Sequence, residues 1–294
     1  MQRVTFLAIG LLLVILVGLL LKGHTKYREL ISLKKAYTRI SDVSIEDSAI
    51  CNINTPGNVW LISYADGEVH SANQRALTVT AVNKCIDFIK PYNREHLDEE
   101  FLNENAKILR LPRGAGYWLW KPYIILKTLK EIPEADIVIY VDSGVTVNGK
   151  VDKLLNLFNN KDIIAFYTTH SNRPYVKRDL LRTMNMDNKE IRDLIQIQAT
   201  FIALKNNKNT RHIVSEWLEL CKNEKILTDS PSMDEYPDFI DHRHDQAIFS
   251  LLSLKYENNF TILPFVEPQG SGSYFNHHRR RDKSEGSLIY PRRR

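Results

Sequence analysis

Cysteine is scarce in this chain, three in 294 residues, and no Cys-x-x-Cys pair occurs. That spacing leaves out a zinc knuckle or a dithiol redox site. Cys85 and Cys221 fall in apolar runs of helical spacing and are expected as buried thiols. One disulfide stays open if the domain lies in an oxidising compartment. Internal repeats and low-complexity tracts are absent, and no His-x-x-x-His pair with a matching acid suggests a helical metal site. There is no recognisable nucleic-acid module either, and no nucleic-acid partner is expected. The net charge of +5 gathers at the end, in "HHRRR" and "PRRR". Such a run favours an anionic partner without saying which.

What is present begins with one long hydrophobic run. Val4 to Leu21 carries no charge, and its 18 residues as a helix reach roughly 27 Å, close to a bilayer core. "LLLKGHTKY" offers no Ala-x-Ala-like cleavage pair, so residues 1–22 read as an uncleaved signal-anchor helix. Only Arg3 precedes the run, whereas Lys22, Lys26, Arg28, Lys34, Lys35 and Arg39 follow it. The positive-inside rule would keep the rest in the cytosol, but long domains cross regardless of charge, so orientation stays open. Residues 23–57 read as a polar stem and 58–294 as the globular domain with a basic tail. Asn259-Phe260-Thr261 is a glycosylation sequon.

Within the domain, strand and helix patterns alternate. "VWLISYA" reads as a strand and "QRALTVTAVNKCIDFIK" as a helix. "EHLDEEFLNEN" reads as a short helix, and Tyr123 to Ile132 as another with Pro122 in its first turn. The unbroken apolar run Ile137 to Val141 predicts a strand buried on both faces. "DIIAFYT", "IQATFIAL" and "FTILPF" follow as strands, with helices at "VDKLLNLFNN", "HIVSEWLELCKN" and "HDQAIFSLLSLKY". The alternation predicts an α/β fold with a mostly parallel central sheet flanked by helices.

Ligands of open α/β sheets bind beyond the carboxyl ends of the strands, which places Asp142 of "YVDSG" at a functional rim. The same Asp-Ser-Gly is also a good turn sequence. "DHRHDQAIF" crowds acids, histidines and an arginine at a helix start, where an Asp commonly serves as a cap. "GSGSYFNHHRRR" joins a flexible turn to a basic run able to hold a phosphate. "RLPRGAGYWLWKPYIIL" sets Tyr117, Trp118, Trp120 and Tyr123 around Lys121. At helical spacing some of these aromatics must face the core, leaving at most two for a ligand.

Together, "GAGYWLWKPYIIL", "YVDSG" and "HRHDQAIFSLL" make the chain from about Val59 to Arg281 resemble the nucleotide-sugar glycosyltransferases of the GT-A fold. The resemblance implies a Rossmann-like first strand that receives a nucleotide, and a later strand ending in an Asp-x-Asp motif. By that likeness the donor would meet Tyr64, Ala65, Arg113, Gly116, Lys121, Asp142, Ser143, Gly144 and Arg279. A divalent metal, Mn²⁺ or Mg²⁺, would sit on Asp142, with His278 (His277 being the alternative) completing its shell. Asp245 would be the catalytic residue, a base in an inverting enzyme or a group that orients substrate or stabilises a cationic intermediate in a retaining one, with Trp118, Trp120, His244 and Gln246 toward the acceptor. The chain departs from the pattern at Gly144, where the second acid belongs. One acid makes a thin cation site. A metal-independent site, with Arg279, Arg280 or Lys121 neutralising the diphosphate, is therefore the alternative. The implied activity is sugar transfer from a nucleoside diphosphate sugar to a hydroxyl acceptor, such as a glycan. Its rival is a non-catalytic protein of the same fold that binds a glycan or an anion. The implied setting is a single-pass membrane protein, lumenal in the Golgi or ER of a eukaryote or in a bacterial inner membrane.

Overall fold

The computed structural model describes residues 51–54, 56–264 and 274–278. The expected anchor at 1–22, most of the stem and Arg279 lie outside the described residues. Among the described residues, no helix is long and apolar enough to cross a membrane.

A seven-stranded sheet organises the domain, in the order β2-β1-β3-β7-β5-β6, with β8 also pairing β5. The strands are β1 (Val59–Tyr64), β2 (Phe88–Tyr92), β3 (Ile137–Val141), β5 (Ile163–Ser171), β6 (Ile195–Ile197), β7 (Phe201–Lys205) and β8 (Phe260–Leu263). A separate two-stranded ribbon joins β4 (Val145–Val147) to β9 (Phe275–His277). Pairing of β1 with β2 and β3 is parallel, as is that of β5 with β8. β7 runs antiparallel to both β3 and β5, and β6 antiparallel to β5. Five strands therefore share one direction and two oppose it. The fold is mixed α/β with a mostly parallel sheet, and its antiparallel pairs are those of β7 with β3 and β5 and of β6 with β5.

Each face of the sheet carries its own core. Val138 and Tyr140 of β3 point to one side, and Ile137, Ile139 and Val141 to the other, as the two-residue period of a strand requires. On the first side pack helices α2 (Trp120–Glu131), α3 (Lys208–Cys221) and α4 (His244–Lys255), through Ile124, Ile125, Trp217, Phe249 and Leu252. On the second lie α1 (Glu68–Ala81) and the segment 151–158, through Leu77, Ala81, Leu154 and Phe158. Pro122 falls in the first turn of α2, where its missing N–H costs nothing.

Two sequence expectations are corrected. The helix expected over 74–90 ends at Ala81, and Phe88–Tyr92 is instead strand β2 alongside β1. Apolar spacing persists through Ile86 and Ile89, but Asn83 and Cys85 take positive φ, 61° and 63°, which breaks a right-handed helix. "IQATFIAL" is likewise not one strand. Gln198 to Thr200 separates β6 from β7, so one segment serves two stretches of β5.

Cys85 is no free thiol. It forms a disulfide with Cys51 across 34 positions, while Cys221 is the buried free cysteine. Asn54 N–H donates to Asn156 Oδ1 at 2.8 Å and Asn156 Nδ2 donates to the Asn52 carbonyl at 2.7 Å, so hydrogen bonds as well as the disulfide fasten this segment to the domain. Closing a loop of that length restricts the unfolded chain and is worth roughly 2–4 kcal/mol. Cys51→Ser should therefore lower the unfolding free energy by about that amount in denaturant melts, with an unchanged fold. Equal midpoints for variant and parent would remove this role.

Candidate active site

The carboxyl ends of β1 and β3 open on a cleft of about 930 Å³. Tyr64, Asp66 and Gly67 line it from β1, and Asp142, Ser143 and Gly144 from β3. The start of α2 contributes Trp118, Trp120 and Lys121, and the start of α4 contributes Arg243 to Gln246. β9 pairs His277 with Val145, which carries that imidazole to the same wall.

On the floor, two carboxylates from distant parts of the chain meet one buried lysine. Lys121 Nζ lies 2.6 Å from Asp245 Oδ2 and 3.5 Å from Asp142 Oδ1, and donates to the Ala199 carbonyl at 3.0 Å. The carbonyl contact is a hydrogen bond, and the two carboxylate contacts are ion pairs. Tyr140 O–H donates to Asp142 Oδ1 at 2.6 Å from the strand below. Burial alone would strip Lys121 of its charge, but Asp142 and Asp245 outweigh it and hold the ammonium above its ordinary pKa. Burial, with Asp142 adding to it and Lys121 opposing it, pushes Asp245 up to about 6. Only Asp142 of the three is appreciably open to the cleft, with a side chain 34% exposed.

The Gly-Ala-Gly segment builds the adjoining wall by an uncommon route. Gly114, Ala115, Gly116, Tyr117 and Trp118 all have positive φ, from 50° to 96°, making one left-handed turn before α2 begins. For non-glycine residues this conformation costs roughly 1–2 kcal/mol each. Packing and polar contacts hold it. Tyr117 O–H donates to Asp229 at 2.8 Å, and Trp120 Nε1 donates to the Gly114 carbonyl at 2.9 Å. A Cβ at Gly114 would sit 2.5 Å from the Trp118 ring, and one at Gly116 would sit 2.7 Å from Leu109 Cα. The turn thereby presents Trp118 to the cleft, stacked on His244 at 5.4 Å between centroids. His244 also has positive φ, 50°, so strained backbone meets on both sides of this stack. Its Nδ1 faces the Leu227 carbonyl at 2.8 Å, and burial keeps the ring below its ordinary pKa.

The candidate residues sort clearly. Tyr64, Arg113, Lys121, Asp142, Ser143, Gly144, Trp118, Trp120, His244, Asp245 and Gln246 all line the cleft. Their roles shift, however. Lys121 is ion-paired with the two acids, donates to a carbonyl and is 2% exposed, so it lies beneath the cleft surface where the expected contact with the donor would form. Arg113 is paired with Asp229 and Asp241, so its charge is already neutralised. Trp120 is stacked on Tyr64 at 3.9 Å and forms floor more than platform. Gln246 donates to Gln196 at 2.9 Å. Ala65 and Gly116 do not line the cleft. Ala65 is tied by its N–H to the Tyr92 carbonyl, and Gly116 is a glycine because Leu109 lies against it. His277, not His278, reaches the cleft, since the β4–β9 register turns His277 toward it and ties His278 N–H to the Gly144 carbonyl.

Sequence reasoning missed Asp66, Gly67, His70, Asn73, Arg94 and Arg110, which also line the cleft. The rule for strand carboxyl ends would have found Asp66 and Gly67, which follow "VWLISYA" directly. Arg94 was out of reach because the strand preceding it, β2, was read as helix.

The donor set fits a divalent cation poorly. Hard cations take about six or more oxygen ligands. Among the described residues, no three His, Cys, Asp or Glu side chains are grouped to hold one. Of the two histidines expected beside Asp142, His277 lines the cleft and His278 does not.

No family model matches this sequence, and no curated protein matches it. Solved structures similar to this chain include a glycosyltransferase involved in glycosylation of the major capsid of PBCV-1. It is 11% identical with a TM-score of 0.45, over 79% of this chain and 98% of that one. Mouse xyloside xylosyltransferase 1 is 11% identical with a TM-score of 0.42, over 70% and 84%. The galactosyltransferase LgtC is 16% identical with a TM-score of 0.39, over 69% and 72%. All three are glycosyltransferases, the class that the sequence resembles.

Proposed function

We propose that the chain transfers a sugar from a nucleoside diphosphate donor to a hydroxyl acceptor, with Asp245 taking the acceptor's proton. The observation that carries this reading is the meeting of Asp142 and Asp245 on Lys121 at the floor of one large cleft, from positions 103 apart in sequence. A carboxylate whose pKa is raised to about 6 is suited to accept a proton near neutrality. Arg94 and Arg110, which also line the cleft, make no ion pair with a described residue, which leaves cationic charge for phosphate. Trp118, partly exposed and backed by the buried His244 ring, offers an aromatic surface for a sugar ring.

The test is turnover of a broad nucleotide-sugar panel with simple glycan acceptors, followed by release of the nucleoside diphosphate. Release from at least one donor is expected. A rival reading, a non-catalytic binding protein, draws on the short ion pair that occupies Asp245. Nucleotide binding without turnover across the whole panel would favour it.

In this reading the domain works on the oxidising side of a membrane, held by the anchor at 1–22. The Cys51–Cys85 disulfide supports that side over the cytosol, where glutathione and thioredoxin keep thiols reduced.

A further inference from the structure

The geometry points to Lys121 as the resident cation of the acid pair, so that donor binding proceeds without a divalent metal. The inference rests on the proposed nucleotide-sugar donor and concerns how its charge is met. A metal bridging Asp142 to a diphosphate needs carboxylate oxygens free to coordinate. Here Asp142 Oδ1 accepts from Tyr140 at 2.6 Å and faces the Lys121 ammonium at 3.5 Å. A second acid of the cleft, Asp245, is bound to the same ammonium at 2.6 Å. The place where a further acid would extend the set is Gly144. A divalent ion on the open oxygen of Asp142 would also sit close to a buried positive charge, which repels it.

Lys121 itself is 2% exposed, so it does not grip the phosphates. It neutralises the floor beneath them. Without it, two carboxylates in one low-dielectric site would repel an anionic donor. With it, the three groups carry a net charge of −1 when both acids are ionised, and Arg94 and Arg110, which also line the cleft, are left to meet the diphosphate. A lysine at this point thus does two things a metal would otherwise do: it bridges the two acids and offsets one of their charges.

The experiment titrates UDP, GDP, ADP and CDP calorimetrically against the full chain, first in EDTA and then in Mn²⁺ or Mg²⁺. At least one nucleotide is expected to bind in EDTA, with an affinity that changes less than about threefold when metal is added. In Arg94→Gln/Arg110→Gln that affinity should drop by about tenfold or more, with the melting temperature unchanged. Binding seen only with metal would overturn this inference and leave the proposed function standing. No binding of any nucleotide under either condition would overturn both. Mn²⁺ alone, followed by paramagnetic resonance, should remain free in the presence of the parent chain. A stoichiometric bound signal from the parent would likewise defeat the inference.

Discussion

Asp245→Asn should reduce sugar transfer by about 10²–10⁴-fold while leaving nucleotide affinity close to that of the parent. The range is what a positioned general base contributes. The side chain is buried at the first turn of α4, and its backbone carbonyl accepts from Trp217 Nε1 at 3.1 Å, so an amide of equal size keeps the local packing. The pH profile carries the sharper information. Only the ionised carboxylate can accept the proton, and it ionises at about 6 in the fold. Transfer by the parent should therefore rise about tenfold per pH unit below that point and level off above it. The residual rate of Asp245→Asn should lack this limb. Stability follows the same proton. Because the folded pKa lies above 3.8, the folded state binds the proton more tightly, and stability from this group is lost as pH rises from 3.8 through about 6. Asp245→Asn should flatten the melting curve's pH dependence in that window. A variant that keeps both the limb and full activity would remove Asp245 from the chemistry.

Lys121→Met should be the most destabilising single change in the cleft. It leaves Asp245 buried without its ion-pair partner, Asp142 without its neighbouring cation, and the Ala199 carbonyl without its donor. Removing one member of a buried ion pair costs about 3–5 kcal/mol. For a domain of this size that corresponds to a fall in melting temperature on the order of 10 °C. Pairing the change with Asp245→Asn should cost less than the sum of the two singles, because the amide removes the orphaned charge. That shortfall is the coupling energy of the pair. Additive effects, or a loss below about 1 kcal/mol for Lys121→Met, would mean the ammonium does not hold the acids together.

Parts of the fold were legible for a clear reason. Ile137 to Val141 is an unbroken apolar run, and such a run of five has few places to go other than a strand covered on both faces. The helices at Lys208–Cys221 and His244–Lys255 kept their period over three turns and more. The segment 82–92 was not legible, because its apolar spacing suits a helix while its fate depends on two remote partners. Those partners are β1, which pairs Phe88 to Tyr92, and Cys51, which binds Cys85. Neither is visible from within the segment.

The candidate site divides in the same way. Sequence by itself determined which groups were available: an acid at the end of the most buried strand, an acid opening a helix, a lysine among aromatics, and a Gly-Ala-Gly turn able to go left-handed. These follow from local rules, since strand ends, helix starts and glycine conformations are set by neighbours a few residues away. Only the tertiary structure decided what each group does. It placed Lys121 between Asp142 and Asp245, spent Arg113 on Asp229 and Asp241, and chose His277 over His278 for the cleft. The physical reason is that charge is compensated through space. A buried ammonium takes the carboxylates that packing brings within about 4 Å, and those come from strands and helices far apart in the chain.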